Sequence, residues 1–120
     1  MTRYCLALDL KDDPDLIAVY EQHHRSVWPE VLAGLKSAGI HRMEIYRFSN
    51  RLFMIMETGP DFSFEKKSQQ DLANPRIQDW ETLMWTYQQS LPAAPGQKWQ
   101  LMSRIFYFDS NAKEHGQPVV

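Results

Sequence analysis

Ile40-His41-Arg42-Met43-Glu44-Ile45-Tyr46-Arg47-Phe48, then Ser49-Asn50, then Arg51-Leu52-Phe53-Met54-Ile55-Met56-Glu57-Thr58, is the stretch that decides the fold. Two runs rich in β-branched, aromatic and methionine side chains flank a two-residue polar turn, the pattern of an antiparallel hairpin. In the second run Leu52, Met54 and Met56 point one way, and Phe53, Ile55 and Glu57 point the other. In the first run Tyr46 shares a face with Ile40 and Phe48, with Met43 opposite, unless a bulge intervenes.

Outward from the hairpin, residues Tyr4 to Leu10 alternate, with Tyr4, Leu6, Leu8 and Leu10 on one face, so a first strand is expected there. Asp13-Pro14 supplies an N-cap and a first-turn proline. The helix they start carries Tyr20, His24 and Trp28 as a column four residues apart, beside an apolar stripe of Leu16, Val19, Val27, Val31 and Leu35. Trp28-Pro29 predicts a kink or restart, and Gly39 a left-handed helix end. After the hairpin, Asp61 is expected to cap a helix over Phe62 to Leu72, and Asn74-Pro75 restarts helix to about Gln89. Leu91-Pro92-Ala93-Ala94-Pro95-Gly96 reads as a loop and Trp99 to Phe108 as a last strand. The domain is thus expected over residues 1–109, with a polar tail over 110–120.

The order β-α-β-β-α-β predicts an α+β, ferredoxin-like fold, with a four-stranded antiparallel sheet and its helices on one face. Met43, Met54, Phe106 and Phe108 are too apolar for full exposure, which predicts a homodimer through the open sheet face. A chain of 120 residues with 43% hydrophobic and 23% charged residues suits one globular domain. Its net charge of -2 argues against nucleic-acid partners, and no run is long and apolar enough for a membrane span. The N-terminus lacks the apolar core of a signal peptide. Cys5 is the single cysteine, so no intramolecular disulfide is expected and a cytoplasmic location is natural.

The chemistry-bearing residues fall on the two helical stretches. His24 and Tyr20 face the core side of the first, where imidazole and phenol either find partners or line a cavity. In the second, Glu81 recurs with Ile77, Trp80, Met84 and Gln88 at three- and four-residue spacing. Glu81 is then either a snorkelling side chain or a desolvated carboxylate held near an imidazole. Asp79 falls on the solvated face. Trp80 and Trp85 serve as core aromatics or as indole faces against the C–H face of a sugar. The neighbours His23 and His24 cannot chelate one metal, and the His-x₃-His spacing is missing, so no metal site is expected. No phosphate loop or nucleophile motif occurs. His24, Tyr20, Glu81 and Glu21 form an acid–base set that passes protons without a covalent step.

These features resemble the L-rhamnose mutarotase family over roughly Arg3 to Phe108. The resemblance rests on Tyr20-Glu21-Gln22-His23-His24, Val27-Trp28-Pro29-Glu30, Gly39-Ile40, Met43-Glu44-Ile45-Tyr46, Asn50-Arg51-Leu52-Phe53, Gln78-Asp79-Trp80 and Ile105-Phe106-Tyr107. It implies a dimer of the α/β-barrel type that interconverts the α and β anomers of a 6-deoxy-L-hexose without a cofactor. It implies His24 as proton donor and Tyr20 as a sugar contact. The family's pocket also holds a strand tyrosine and two adjacent tryptophans; here Met43 and Trp80-Glu81 stand in those places. That departure points to L-fucose over L-rhamnose. Taken with the chemistry of the residues, His24 is expected to give a proton and Glu81 or Tyr20 to take one, so His24, Glu81 and Tyr20 are the expected catalytic set; Trp80, Trp28, Met43, Tyr46 and Trp85 are the expected monosaccharide contacts. A sugar-binding domain without activity and a cofactor-free monooxygenase are the competing readings for this fold.

Overall fold

Three of the four helices among the described residues begin at a proline, whose fixed φ and missing N–H suit the first helical turn. The computed structural model describes residues 1–111, so the expected tail lies, from residue 112, outside the described residues. Strand β1 (Thr2–Leu10) leads to α1 (Pro14–His23), where the Asp13 carboxylate accepts from the Asp15 and Leu16 amides. The chain restarts as α2 (Pro29–Ser37), with Trp28 at its N-cap, and leaves it through Gly39 at φ 89°. The restart expected at Trp28-Pro29 and the left-handed glycine are both present. The first helix, however, stops at His23, so His24 caps it and Trp28 belongs to the next.

Strands β2 (Ile40–Phe48) and β3 (Arg51–Thr58) form the hairpin with the expected bounds, turning at Ser49, whose φ is 53°. A bulge separates them from a plain ladder. Ile40 pairs with Thr58 but Arg42 with Glu57, leaving His41 as the extra residue. Ile40 and Met43, three apart, therefore share the inner face, opposite to the face expected for Ile40. Tyr46 stays on the outer face with Phe48.

Helix α3 spans Phe64–Leu72 and is capped by Ser63, whose hydroxyl accepts from the Lys66 amide; the cap expected at Asp61 lies two residues too early. Helix α4 spans Pro75–Trp85, started by Asn74, whose side chain accepts from the Arg76 and Ile77 amides. It ends four residues short of the expected Gln89, because Gln88–Gln89 leave the helix as strand β4. The last strand is likewise shorter than expected: β5 is only Gln100–Leu101, and residues 102–108 make no ladder.

The sheet order is β2-β3-β1-β4, with β5 also on β1, all antiparallel. This is the ferredoxin-like order, with its fourth position shared by two short strands. Leu6, Leu8, Leu10, Leu52, Met54 and Met56 fill the inner face, under the helices. Met43 and Met54, expected on the open face, thus lie on the helical side instead. The open face carries exposed Phe48 and Tyr46, and the arm after β5 exposes Ile105, Phe106 and Phe108. In α1, Ile17 rather than the expected Val19 packs inward. Helices α2 and α4 cross closely at Gly34, where a Cβ would stand 2.7 Å from Ile77 Cδ1.

Replacing Asn74 by Ala removes the cap of α4, the helix that carries Trp80 and Glu81. The expected cost is about 1 kcal/mol, read as a drop of a few degrees in Tm by circular dichroism.

Candidate active site

Between the helices and the inner sheet face lies a hollow of about 750 Å³. That is within the range of roughly 300–1,000 Å³ common for small-molecule pockets. Its walls include Tyr20 and His24 from the end of α1, Met43 from β2, Trp80 and Glu81 from α4, and Gln88 from β4. Helix α4 delivers two adjacent wall residues because Trp80 and Glu81 straddle its inward edge. Trp80 is almost fully buried, whereas the Glu81 side chain is 41% exposed.

The aromatic packing around Trp80 fixes the hollow's back wall. Its ring lies 5.2 Å from that of Trp28 and 5.8 Å from that of His24, both at edge-on angles. Such tilted pairs place the positive ring edge on the negative face of the neighbour. Trp28 stands behind Trp80, with the Arg76 guanidinium 4.1 Å from its ring centroid.

His24 is tied down by its own helix. Its Nδ1–H donates to the Tyr20 carbonyl at 2.9 Å, since a carbonyl oxygen only accepts. In the neutral ring this assigns the proton to Nδ1 and leaves Nε2 as the free acceptor; in the imidazolium Nε2 becomes the free donor. Either way Nε2 is the ring nitrogen that the Tyr20 carbonyl leaves unengaged. His23 turns aside, its Nε2 3.3 Å from the Tyr87 hydroxyl.

Tyr20 is buried, its ring 4.5 Å from that of His24. Burial pushes its phenol pKa from 10.0 up to about 12; the Gln88 amide opposes the shift and the Glu81 charge adds to it. The phenol is therefore a proton-bearing donor throughout the physiological range. Glu81 departs from the desolvated setting considered for it: its carboxylate faces the Lys98 ammonium at 3.4 Å at the rim.

The structure thus brings His24, Tyr20, Glu81, Trp80 and Met43 to one hollow. It does not bring Trp28, Tyr46 or Trp85 there: Trp28 packs behind Trp80 and lines no part of the hollow. Tyr46 lies across the sheet, half exposed, donating to Glu44 at 2.7 Å, because the bulge at His41 precedes it and leaves its own alternation intact. Trp85 faces a separate open groove beside Leu91 and Pro95, and approaches Glu81 only through Lys98, whose Nζ is 5.5 Å from its ring. Sequence reading missed Lys98, Trp99 and Gln88 as wall residues. Gln88 was expected on the inward stripe of the helix but not as a site residue, and it reaches the wall from β4 because the helix stops at Trp85; Lys98 and Trp99 lie after a proline-rich loop whose course has no periodicity to read. Among the described residues no cluster of three or more His, Cys, Asp or Glu side chains has a metal-holding arrangement.

The raised phenol pKa has a stability consequence. Below pH 10 Tyr20 is neutral in both folded and unfolded chains and contributes no pH dependence. Between pH 10 and about 12 the unfolded phenol ionises first, so stability falls, by about 2–3 kcal/mol in all. Denaturant titrations should show the Tyr20→Phe variant losing less stability than the parent across that window.

Comparison with known proteins agrees with the geometry. The sequence profile described as L-rhamnose mutarotase matches residues 3–108. An L-fucose mutarotase of Xanthomonas campestris pv. campestris is 51% identical over 109 residues, covering 88% of this chain and 87% of that one. An L-rhamnose mutarotase of Acidiphilium cryptum is 29% identical over 91 residues, covering 74% of this chain and 88% of its own. The crystal structure of an L-rhamnose mutarotase from Formosa agariphila superposes with a TM-score of 0.67 at 20% identity, covering 91% of this chain and all of that one. At that identity the superposition speaks for the fold, while the profile and the close relative speak for kinship: the chain belongs to the L-rhamnose mutarotase family.

Proposed function

We propose that the protein is an aldose mutarotase, an isomerase that interconverts the α and β anomers of a 6-deoxy-L-hexose, with L-fucose preferred over L-rhamnose. The observation that carries the chemistry is the His24 ring, pinned through Nδ1 with Nε2 left to exchange protons, in a hollow it shares with Glu81 and Tyr20. Opening a hemiacetal needs a proton given to the ring oxygen as the C1–O5 bond breaks and one taken from the anomeric hydroxyl. His24 as imidazolium gives the first from Nε2, and the Glu81 carboxylate takes the second. Rotation about C1–C2 in the open aldehyde presents the other carbonyl face, and the reverse transfers close the ring. Neither proton is lost overall. Tyr20, held protonated, serves as a hydrogen-bond donor to the sugar rather than as a base. Trp80 offers a flat wall to the ring, and Met43 an apolar corner for the 6-methyl group.

The preference for L-fucose is supported by the 51% identical L-fucose mutarotase and by the hollow's own chemistry. Met43 supplies no hydroxyl, and Glu81 replaces an indole with an acceptor for sugar hydroxyls. We also infer that the protein works as a homodimer in the cytoplasm. The exposed Phe48 on the open sheet face and the exposed Ile105, Phe106 and Phe108 on the arm support a second copy as their cover. No helix among the described residues is long and apolar enough to cross a membrane.

Saturation-transfer NMR is expected to show accelerated anomer exchange for both sugars, faster for L-fucose. Unchanged exchange for both, with folded protein, overturns the activity; tight sugar binding without exchange would mark a binding domain. His24→Ala is expected to lose most of the rate, by about 10²- to 10⁴-fold, while keeping its circular dichroism spectrum. Met43→Tyr, which puts a hydroxyl on the wall and leaves the Glu81 carboxylate in place, should move the preference toward L-rhamnose by roughly tenfold. Light scattering should give twice the 14.1 kDa chain mass, and a monomer at all concentrations would remove the dimer.

A further inference from the structure

Gln88 is a polar side chain where a leucine would pack. It is only 5% exposed, yet its backbone gives it no reason to be an amide: it is paired with Leu10 of β1, a role any residue could fill. A buried amide is costly unless its hydrogen bonds are made. The one it makes among the described residues is from Nε2 to the Tyr20 hydroxyl on α1, at 3.3 Å. Gln88 also lines the hollow beside Tyr20 and His24.

The consequence lies in the phenol's proton. A tyrosine hydroxyl has one hydrogen to give and lone pairs to receive. With a lone pair occupied by the Gln88 N–H, the O–H bond is turned away from the amide. Among the described residues no acceptor receives it. The open direction is the hollow. We propose that Gln88 is a positioning residue that holds Tyr20 as a hydrogen-bond donor toward the bound sugar. This deepens the mutarotase reading and rests on it.

Gln88 is held for this task by the early end of α4. The helix stops at Trp85, Thr86 and Tyr87 turn the chain, and the two-residue ladder with β1 sets the side chain inward. Tyr87 places its own carbonyl on the Lys11 amide at 2.8 Å, which fixes the turn from the other side. A one-residue slip of this segment would exchange Gln88 for Gln89, which is exposed.

The test compares anomer exchange in four chains: the parent, Gln88→Met, Tyr20→Phe and the double variant, with circular dichroism and Tm for each. Gln88→Met keeps the side chain's length while removing its donor. It should lower kcat/KM about three- to tenfold, the worth of one oriented hydrogen bond. In the Tyr20→Phe background the same change should have almost no effect, because the hydroxyl it orients is gone. Equal losses in both backgrounds would reveal packing alone and overturn the proposal. Gln88→Glu provides the second arm: its carboxylate takes the phenol's proton for itself, so the rate should fall below that of Gln88→Met. A Gln88→Glu enzyme as active as the parent would mean that the amide's carbonyl faces Tyr20, and the proposal would fail. An inactive parent chain would instead defeat the mutarotase reading itself, so the two failures are distinguishable.

Discussion

The contact between Trp80 and the α1–α2 junction is the interaction on which the rest of the structure leans. One indole from α4 meets Trp28 and His24, which lie on either side of the break between the first two helices. Large aromatic surfaces bury well and prefer tilted geometries, so the contact both holds the helical layer and sets its angle. Pro29 opens the second helix and, with Trp28 held extended before it, keeps the two helices from joining into one. Without the break His24 would be an interior helical residue. At the helix end, its ring instead closes back on the Tyr20 carbonyl, and one nitrogen is left over for chemistry.

The groups in the hollow differ in how far the protein encloses them. Tyr20 is locked in its neutral form by burial, with a pKa near 12. Glu81 sits at the rim, half exposed and paired with Lys98, where water and an ammonium both reach it. His24 lies between these extremes, buried in part and anchored at one nitrogen. Gln88 completes the set without titrating at all. The mutarotation proposed above draws on all four, with protons moving twice and no bond formed to the protein.

Much of this was legible in the sequence because the signals were local. The hairpin's bounds follow from two-residue alternation interrupted only by Ser49-Asn50, and the helix starts from Asp13, Pro29 and Asn74. His24 and Glu81 in one hollow followed from helical spacing in two separate helices. What escaped was non-local. The apolar run from Trp99 to Phe108 says that these residues seek cover but not what covers them, and only Gln100 and Leu101 find a strand partner among the described residues. The bulge at His41 has no compositional mark, yet it decides which side Ile40 takes. The ladder at Gln88 depends on β1, some eighty residues earlier in the chain.

The shared fourth position of the sheet has a further meaning. Because β4 and β5 sit one after the other along β1, the ten residues 90–99 between them leave the sheet and return to it without crossing another strand. This excursion ends in Lys98 and Trp99, which close one side of the hollow. Insertions and deletions in it therefore tune how a guest molecule is enclosed and leave the scaffold undisturbed. Diversification of ligand preference in proteins of this architecture has an inexpensive route open to it there, bounded by the pairing of Lys98 with Glu81 at the rim.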